Sequence, residues 1–425
     1  MSRSLMSTRF PRVLGGLALV LALGACAKGP SSVTAPRLDP DRSGTVTVIN
    51  SRAQLANRVH PAREGRLKIE PPISGRTLSD GTSIRRAPVP TPHGVSLQLI
   101  ASVDPPELLG TTLQATHITM HRGKVYVSYN AKGPLYLGGV DVFNIAPPRG
   151  APELISSALY SDTDVNAIDS KDGKLYLATA TGNPQVAGPA ALEEVELDGD
   201  LITAISRRVP LPSYAGTGVA ADGGLIFATS GDGADGGVAA FDALTLEPVW
   251  RVDFADARAV AVSGSTVMTL SGQPCTLRGY DAAAGGADSK GSCTPGGSNF
   301  PHAKSTLAIH QGLAFVAAGD EGTKVVRLAD GVVTDVVPVP PVSGLDPELT
   351  VTNAVAVSGN LVYMANGGAG LWVARLKLDK LEVIGKILFG DGPSVNFVAA
   401  RGNLVFAATG TGGLRIIQVH GAEHF

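Results

Sequence analysis

The sequence has little of the chemistry that marks nucleic-acid-binding proteins and many common enzymes. Its 425 residues include only three cysteines and two tryptophans, and aromatic side chains make up 5% of the chain. Proteins that bind single strands stack bases on aromatic side chains and neutralise phosphates with basic ones. With few aromatics and a formal net charge of −2, no nucleic-acid partner is expected.

Short catalytic motifs are also missing. The sequence contains no HExxH, GxSxG or P-loop pattern, and no pair of its eight histidines has metal-ligand spacing with a carboxylate base. The stretch Gly231–Gly236 matches GxGxxG, but it lies between two predicted strands. A dinucleotide site needs a helix N-terminus after the glycines, so this stretch is predicted to be a turn.

The N-terminus has an apolar run that is too short to span a bilayer comfortably. Basic residues precede the run 13–23, and residues 23–26 (LGAC) resemble a bacterial lipobox. We therefore expect a lipoprotein signal peptide over residues 1–25 and lipidation of Cys26. Ala27 resembles the pattern that is sorted to the outer membrane, so the predicted location is the cell envelope, with the protein anchored through its lipid.

Residues 26–94 read as an extended tether. This stretch is rich in proline, and residues 27 to 94 include eleven Lys and Arg residues but only five Asp and Glu residues. Such a composition buries little apolar surface. Within it, the runs 45–49 (TVTVI) and 51–59 are candidates for a small ordered patch. The basic balance also suits contact with anionic lipid headgroups.

From residue 115 onward a repeat of 41 to 52 residues appears. Each unit has alternating apolar and polar runs separated by turn residues, and a third run often follows Gly-Gly or Ala-Gly. A four-stranded unit of this length is typical of a β-propeller blade. The first strands of the seven units begin at His117, Asn166, Gly218, Ala259, Thr306, Asn353 and Asn396.

The seventh unit ends after residues 414–419 (LRIIQV) and lacks a fourth strand of its own. The run 95–103 (VSLQLIASV), just before the first unit, can supply it, and such closure removes exposed edges. The predicted fold is therefore all-β, a seven-bladed β-propeller over residues 95–425 that is closed by an N-terminal strand and preceded by the lipoprotein signal and extended tether. Six or eight blades remain alternatives.

The repeats resemble the LVIVD type found in exported bacterial β-propeller proteins. The resemblance rests on GGVDVFNIAPPRGAPELI, AGLWVARL and GGLRIIQV and extends over about residues 95 to 420. Blades 2 and 4 depart from the pattern. The resemblance implies a propeller fold but no assigned activity.

The starts of the inner strands should surround one mouth of the central channel. Convergent polar groups there can orient a small ligand, but the same side chains can instead bond to the backbone of neighbouring blades. Both interpretations stay open for this candidate channel-mouth site, whose members are His117, Asn166, Arg258, Thr306, Asn353 and Asn396.

Two further sites are suggested by residue type. If Cys26 carries lipid, Cys275 and Cys293 remain as a pair, and an oxidising compartment predicts a disulfide between them. Acidic turns at Asp232, Asp235, Asp320 and Glu321 offer oxygen ligands for Ca²⁺, although solvated turn residues are the preferred interpretation. No metal site and no catalytic residue is predicted from motifs.

These patterns favour a non-catalytic binding or scaffolding module that presents the propeller to an envelope protein or a glycan. The alternative is a propeller enzyme, either a lyase or a quinone- or metal-dependent dehydrogenase, that uses the channel mouth. Propeller active sites carry no short signature, so the sequence does not exclude it. Two tryptophans are too few for the repeated tryptophans of quinone-binding propellers.

Overall fold

The computed structural model describes residues 37–38, 44–62, 67–70, 76–77, 83–84, 94–145, 152–184, 188–231, 235–296, 300, 303–339, 342–390 and 394–421. Cys26, Asp232 and the predicted signal peptide lie outside these residues. The part of the chain that the structure describes is all-β, with 3% helix, and seven small sheets form a ring. The predicted seven-bladed propeller is thereby confirmed.

Each blade is an antiparallel sheet with four main strands. The innermost strands are Gln114–His121, Thr163–Lys171, Ala215–Asp222, Ala257–Ser263, Leu307–His310, Ala354–Ser358 and Phe397–Arg401. The second strands are Lys124–Asn130, Lys174–Thr181, Leu225–Gly231, Thr266–Ser271, Leu313–Ala317, Leu361–Ala365 and Leu404–Ala408. Innermost strands of consecutive blades contact each other, and the seventh contacts the first, which closes the ring.

The outer half of each blade follows the same order. The third strands are Gly138–Asn144, Ala190–Asp198, Gly237–Asp242, Leu277–Asp281, Thr323–Arg327, Leu371–Lys377 and Leu414–His420. The fourth strands of blades 1 to 6 are Glu153–Tyr160, Leu201–Leu211, Pro248–Asp253, Ala287–Cys293, Val332–Val337 and Lys380–Ile387. Chain direction reverses at each strand, so the inner strands begin at the same face at which the second strands end. We call this the upper face.

The core repeats with the blades because each sheet is packed on both sides by its neighbours. A large apolar residue occupies the third position of every second strand and is at most 3% exposed in all seven blades. Sheets that are buried on both faces favour near-continuous apolar strands over strict alternation. The seven residues are Tyr126, Tyr176, Phe227, Met268, Phe315, Tyr363 and Phe406.

Glycines in two places explain the repeating Gly signals. Arg122 and Gly123 both have positive φ in the turn after the first inner strand, as a two-residue type I′ hairpin requires. Gly370 and Gly413 precede third strands. A Cβ on Gly413 would collide with the carbonyl oxygen of Val103, and one on Gly370 with that of Ile387. Glycine is therefore required where the third strand approaches the end of the outermost strand.

Blade 7 is closed by the N-terminal strand Ser96–Val103. This strand pairs antiparallel with Leu414–His420, with Leu414 opposite Val103 and His420 opposite Ser96. The predicted closure is confirmed, and the first and last parts of the propeller share one sheet.

Part of the predicted tether is folded onto the propeller, and the ordered part includes the patch expected at residues 45–49 and 51–59. Val46–Ile49 adds a fifth strand to blade 1, Arg37–Leu38 to blade 2 and Val59–Pro61 to blade 7. A short helix, Arg52–Ala56, connects two of these strands and buries Leu55. The backbone bonds that outer strands leave open at a sheet edge explain why these blades accept an added strand.

A buried ion pair fastens this N-terminal segment. Arg58 donates from Nη1 to Asp141 Oδ1 at 3.1 Å and from Nη2 to Oδ2 at 2.6 Å, and Asp141 is fully buried in blade 1. Burial would lower the pKa of Arg58, but the Asp141 carboxylate outweighs it and holds that pKa above its ordinary value. The bidentate geometry is the strong form of such a pair.

The remaining elements are short. Glu107–Leu108 pairs with Thr111–Thr112, Arg76–Thr77 pairs with Ser83–Ile84, and Pro347–Leu349 is a turn of 3₁₀ helix. Within the described parts of the chain, no helix has the length and apolar character needed to cross a membrane.

Candidate functional site

Polar side chains near the start of the inner strands form bonds from blade to blade. Thr116 Oγ1 donates to Val165 O at 3.0 Å, Asn166 Nδ2 to Gly216 O at 2.9 Å, and Thr217 Oγ1 to Ala257 O at 2.8 Å. Asn166 and Thr217 lie at register irregularities of their strands. A bulged residue is free to turn toward a neighbour, so these side chains join consecutive blades around the channel.

The predicted channel-mouth residues lie on the upper side of the ring, but most of them already make contacts within the fold. Thr306 Oγ1 donates to Asn353 O at 3.0 Å, and Asn353 Oδ1 accepts the Lys304 N–H at 3.4 Å. Asn396 Oδ1 accepts from Ser394 Oγ at 2.8 Å. The bonds of Thr306 and Asn353 agree with the interpretation in which polar side chains hold neighbouring blades together, whereas the bond of Asn396 is local.

Arg258 is engaged close to its own backbone. Its Nε lies 2.5 Å from Asp256 Oδ1, and Asp256 Oδ2 accepts the N–H of Gln273 at 2.7 Å. The guanidinium charge is therefore balanced by a carboxylate two residues away.

His117 differs from the other predicted residues. Its ring lies 4.2 Å from the ring of Phe397, centroid to centroid, across the junction of blades 1 and 7. Its Nδ1 is buried and has no hydrogen-bond partner among the described residues. Burial and the nearby Lys304 ammonium lower the pKa of His117 well below its usual range, against the opposing effect of a backbone bond to Ile168. The imidazole is therefore neutral at physiological pH.

Lys304, which no sequence pattern indicated, reaches across the channel. It lies in the connection between blades 4 and 5, yet its Nζ donates to Thr116 O at 2.5 Å in blade 1 and to Asn166 O at 3.1 Å in blade 2. Nζ also lies 5.3 Å from the centroid of the Phe397 ring. Two carbonyl oxygens and an aromatic face suit an ammonium group.

Burial lowers the pKa of Lys304 to about 7, because the charged form loses water without gaining a carboxylate partner. An amine with this pKa can accept or release a proton near neutral pH. Lys304 and His117 are thus the chemically distinctive pair of the channel mouth. Lys304 does not lie at a repeated position of the blades, so the repeat pattern does not indicate it.

Another group with a shifted pKa lies beside an upper-face loop. Asp164 Oδ1 accepts the N–H of Leu137 at 3.1 Å, from the loop between the second and third strands of blade 1. Burial raises the pKa of Asp164 to about 7, although backbone hydrogen bonds oppose the shift. This carboxyl group therefore also titrates near neutral pH.

The other predicted sites are not assembled by the described residues. No group of three or more His, Cys, Asp or Glu side chains that could hold a metal occurs among them. Glu321 lies 3.5 Å from Lys324 Nζ, so one of the proposed Ca²⁺ ligands already faces a cation.

The disulfide predicted between Cys275 and Cys293 is not shown by the described residues. The strand register places Cys293 opposite Leu277, two residues beyond Cys275, so the two cysteines are not directly paired across the hairpin. Cys275 is buried.

The upper face also carries exposed apolar side chains that the sequence analysis did not select. Among the described residues, fourteen large apolar side chains are exposed. Seven of them lie in upper-face connections, whereas two, Leu244 and Leu378, lie in lower-face turns and five lie on outer strands. The seven are Leu109, Leu135, Tyr136, Tyr214, Leu345, Leu349 and Leu388.

The fold and the ring of blades place this chain in the class of β-propeller proteins. It is similar to a chain of a mitotic checkpoint complex, with a TM-score of 0.55 and 13% identity over 79% of this chain and 95% of that one. It is also similar to U3-55K, with a TM-score of 0.53 and 13% identity over 75% of this chain and 98% of that one. At this identity the likeness concerns the fold alone. The sequence matches no family model and no curated protein.

Proposed function

We propose that this chain is a non-catalytic binding or scaffolding module that docks a protein partner on the upper face of its propeller. The observation that carries the proposal is the concentration of exposed apolar side chains in the upper-face loops. Large exposed apolar groups that cluster mark interaction sites. Five of the seven are leucines, which favours a protein over a glycan, since sugars are generally recognised by polar and aromatic groups.

The channel mouth supports the same proposal. Lys304 crosses it, and Asn166 and Thr306 are hydrogen-bonded to neighbouring blades. An enzyme that uses the channel mouth would have to displace these contacts to admit a substrate. The loops around the mouth, in contrast, are accessible without rearrangement.

Envelope anchoring is part of the proposal and rests on the sequence. The LGAC stretch before residue 27 and the LVIVD-like repeats both suit an exported lipoprotein. In a Gram-negative host, incorporation of an alkyne-labelled fatty acid should depend on Cys26, and Cys26→Ala should abolish it. If labelling persists in Cys26→Ala, the lipid-anchor assignment is wrong.

The basic balance of residues 27–94 predicts that the delipidated protein binds anionic vesicles in a salt-dependent manner. The measurement is co-sedimentation with vesicles that contain phosphatidylglycerol, across increasing salt. Binding that does not change with salt would contradict an electrostatic contact of the tether.

Site-specific photocrosslinking tests the docking face. A photoreactive phenylalanine analogue is placed at Tyr136 or Leu349 on the upper face, and at Leu244 or Leu378 on the lower face as matched exposed controls. Protein adducts should form in the host envelope from upper-face positions and be several-fold weaker from lower-face ones. Equal adducts from both faces, or glycan adducts alone, would contradict the proposal.

A further inference from the structure

A groove lies where the N-terminal segment packs on blade 1, next to the connection that contains residues 106–107. Its volume is about 710 Å³, within the usual range of ligand sites. Its lining includes residues 47–51, part of the short helix, and Ser157 and Leu159 of the neighbouring strand of blade 1. Folding of the predicted tether onto the propeller therefore creates this groove.

One wall of the groove contains a buried hydroxyl group that is not satisfied. Ser157 is 1% exposed, lines the groove, and its Oγ has no hydrogen-bond partner among the described residues. It lies opposite Ile49 on one side and Asp141 on the other. A buried polar group without a partner is unfavourable by about 1 to 3 kcal/mol, so a bound molecule that supplies this hydrogen bond would be favoured.

The charges around the groove select against ions. Arg58 lines it, but both Asp141 oxygens already accept from this guanidinium, and its Nε donates to Asp104 O at 3.0 Å. The buried Tyr129 also lies close to this guanidinium. Glu107 also belongs to the lining and is exposed. A bound carboxylate would be repelled by Glu107 and would gain little from Arg58, because Asp141 already balances the charge of that guanidinium.

The apolar part of the lining defines the rest of the ligand. Leu55 is 2% exposed, and Val48, Ile49 and Leu159 complete an aliphatic surface with no aromatic ring. This composition suits an aliphatic chain better than a flat ring or a sugar.

We propose that this groove is a binding site for a small uncharged molecule with an aliphatic body and an oxygen acceptor, held by the Ser157 hydroxyl. The site adjoins the upper face at residues 106–107, but its lining includes none of the seven exposed apolar side chains of the docking face. It requires the N-terminal segment, so it exists only in the chain that retains residues 44–62.

Three probes that share one aliphatic body test the proposal: hexanamide, hexanoate and hexylammonium. Binding to the full mature chain is measured by saturation-transfer NMR titration. Hexanamide should bind saturably in the millimolar range, and hexanoate and hexylammonium at least several-fold more weakly. Ser157→Ala should weaken hexanamide binding by about 3- to 10-fold, the loss expected for one hydrogen bond.

Variants on the exposed side of the helix give a test that does not disturb the core. Gln54 lines the groove and Ala53 does not, and both are exposed. Gln54→Trp should block hexanamide binding, and Ala53→Trp should leave it unchanged, with both variants folded by circular dichroism. The proposal is overturned if hexanamide does not saturate, if hexanoate binds equally well, or if Ser157→Ala or Gln54→Trp has no effect.

Discussion

Replacing Lys304 with methionine should remove a pH dependence of stability that the wild-type protein shows above neutral pH. Lys304 has a pKa of about 7 in the folded chain, against its ordinary value of 10.5. Between these values the unfolded chain binds a proton that the folded chain has released. The free energy of unfolding therefore rises with pH in this window.

The magnitude follows from one proton. The contribution of Lys304 should change by about 1.4 kcal/mol per pH unit across the middle of the window. Over the whole window the sum is at most roughly 4 to 5 kcal/mol, and water entering the channel reduces it. Below pH 7 the amine is charged in both states, so this contribution becomes constant.

The assay is urea unfolding followed by the fluorescence of Trp250 and Trp372 at pH 7, 8, 9 and about 10. The difference in unfolding free energy between wild type and Lys304→Met should rise with pH. Lys132→Met, which removes an exposed lysine from an upper-face loop, is the control for the loss of a lysine charge. If the difference in unfolding free energy between wild type and Lys304→Met stays constant from pH 7 to about 10, Lys304 is not a buried amine with a lowered pKa.

Three further predictions concern other parts of the fold. Arg58→Ala leaves Asp141 buried without its partner and should destabilise the chain by about 3 to 5 kcal/mol in denaturant unfolding. The control is Arg52→Ala, which removes one partner of an exposed ion pair and should change stability by less than about 1 kcal/mol. Equal losses of stability in the two variants would contradict the anchoring role of Arg58. Asp164 has a pKa of about 7 in the folded chain and an ordinary value of 3.8, so between these values the folded state holds a proton that the unfolded state has released. Wild-type stability should therefore fall as pH rises from about 4 to 7. Asp164→Asn should abolish that fall, and an unchanged pH profile in this variant would contradict the raised pKa of Asp164. Deleting residues 95–103 should lower the thermal midpoint far more than removing residues 1–43, because only the first deletion opens blade 7 and the second leaves the Arg58–Asp141 pair in place; similar midpoints would be inconsistent with closure by this strand.

Only part of the candidate site could be predicted from the repeat pattern. The repeat located Asn166 and Thr306 at the mouth because each begins an inner strand at a regular spacing. Their hydrogen bonds to the next blade depend on local register and on the distance between sheets. Lys304 lies outside the repeat, in the connection between blades 4 and 5, and its partners are 188 and 138 residues away.

The N-terminal segment was likewise only partly predictable. Its composition indicated little core of its own, and the run 45–49 has clear strand character. Whether such a strand pairs depends on an open sheet edge elsewhere, and here blade 1 supplies it. Arg58 looked like one of eleven basic residues of a tether, yet its partner is a buried carboxylate 83 residues away.

The sequence by itself determined the blade and its closure, because alternating strands, turn glycines and the missing seventh outer strand are local signals. The structure decided that there are seven blades and not six or eight. A large apolar residue at the third position of the second strand recurs in every blade, and glycine stands before or at the start of the third strand in blades 1, 3, 5, 6 and 7. Only the tertiary structure decided which polar groups join blades, that Lys304 crosses the channel, and that part of the tether folds back to form a groove. These contacts join residues that are distant in the chain, and no local pattern encodes the distance between them.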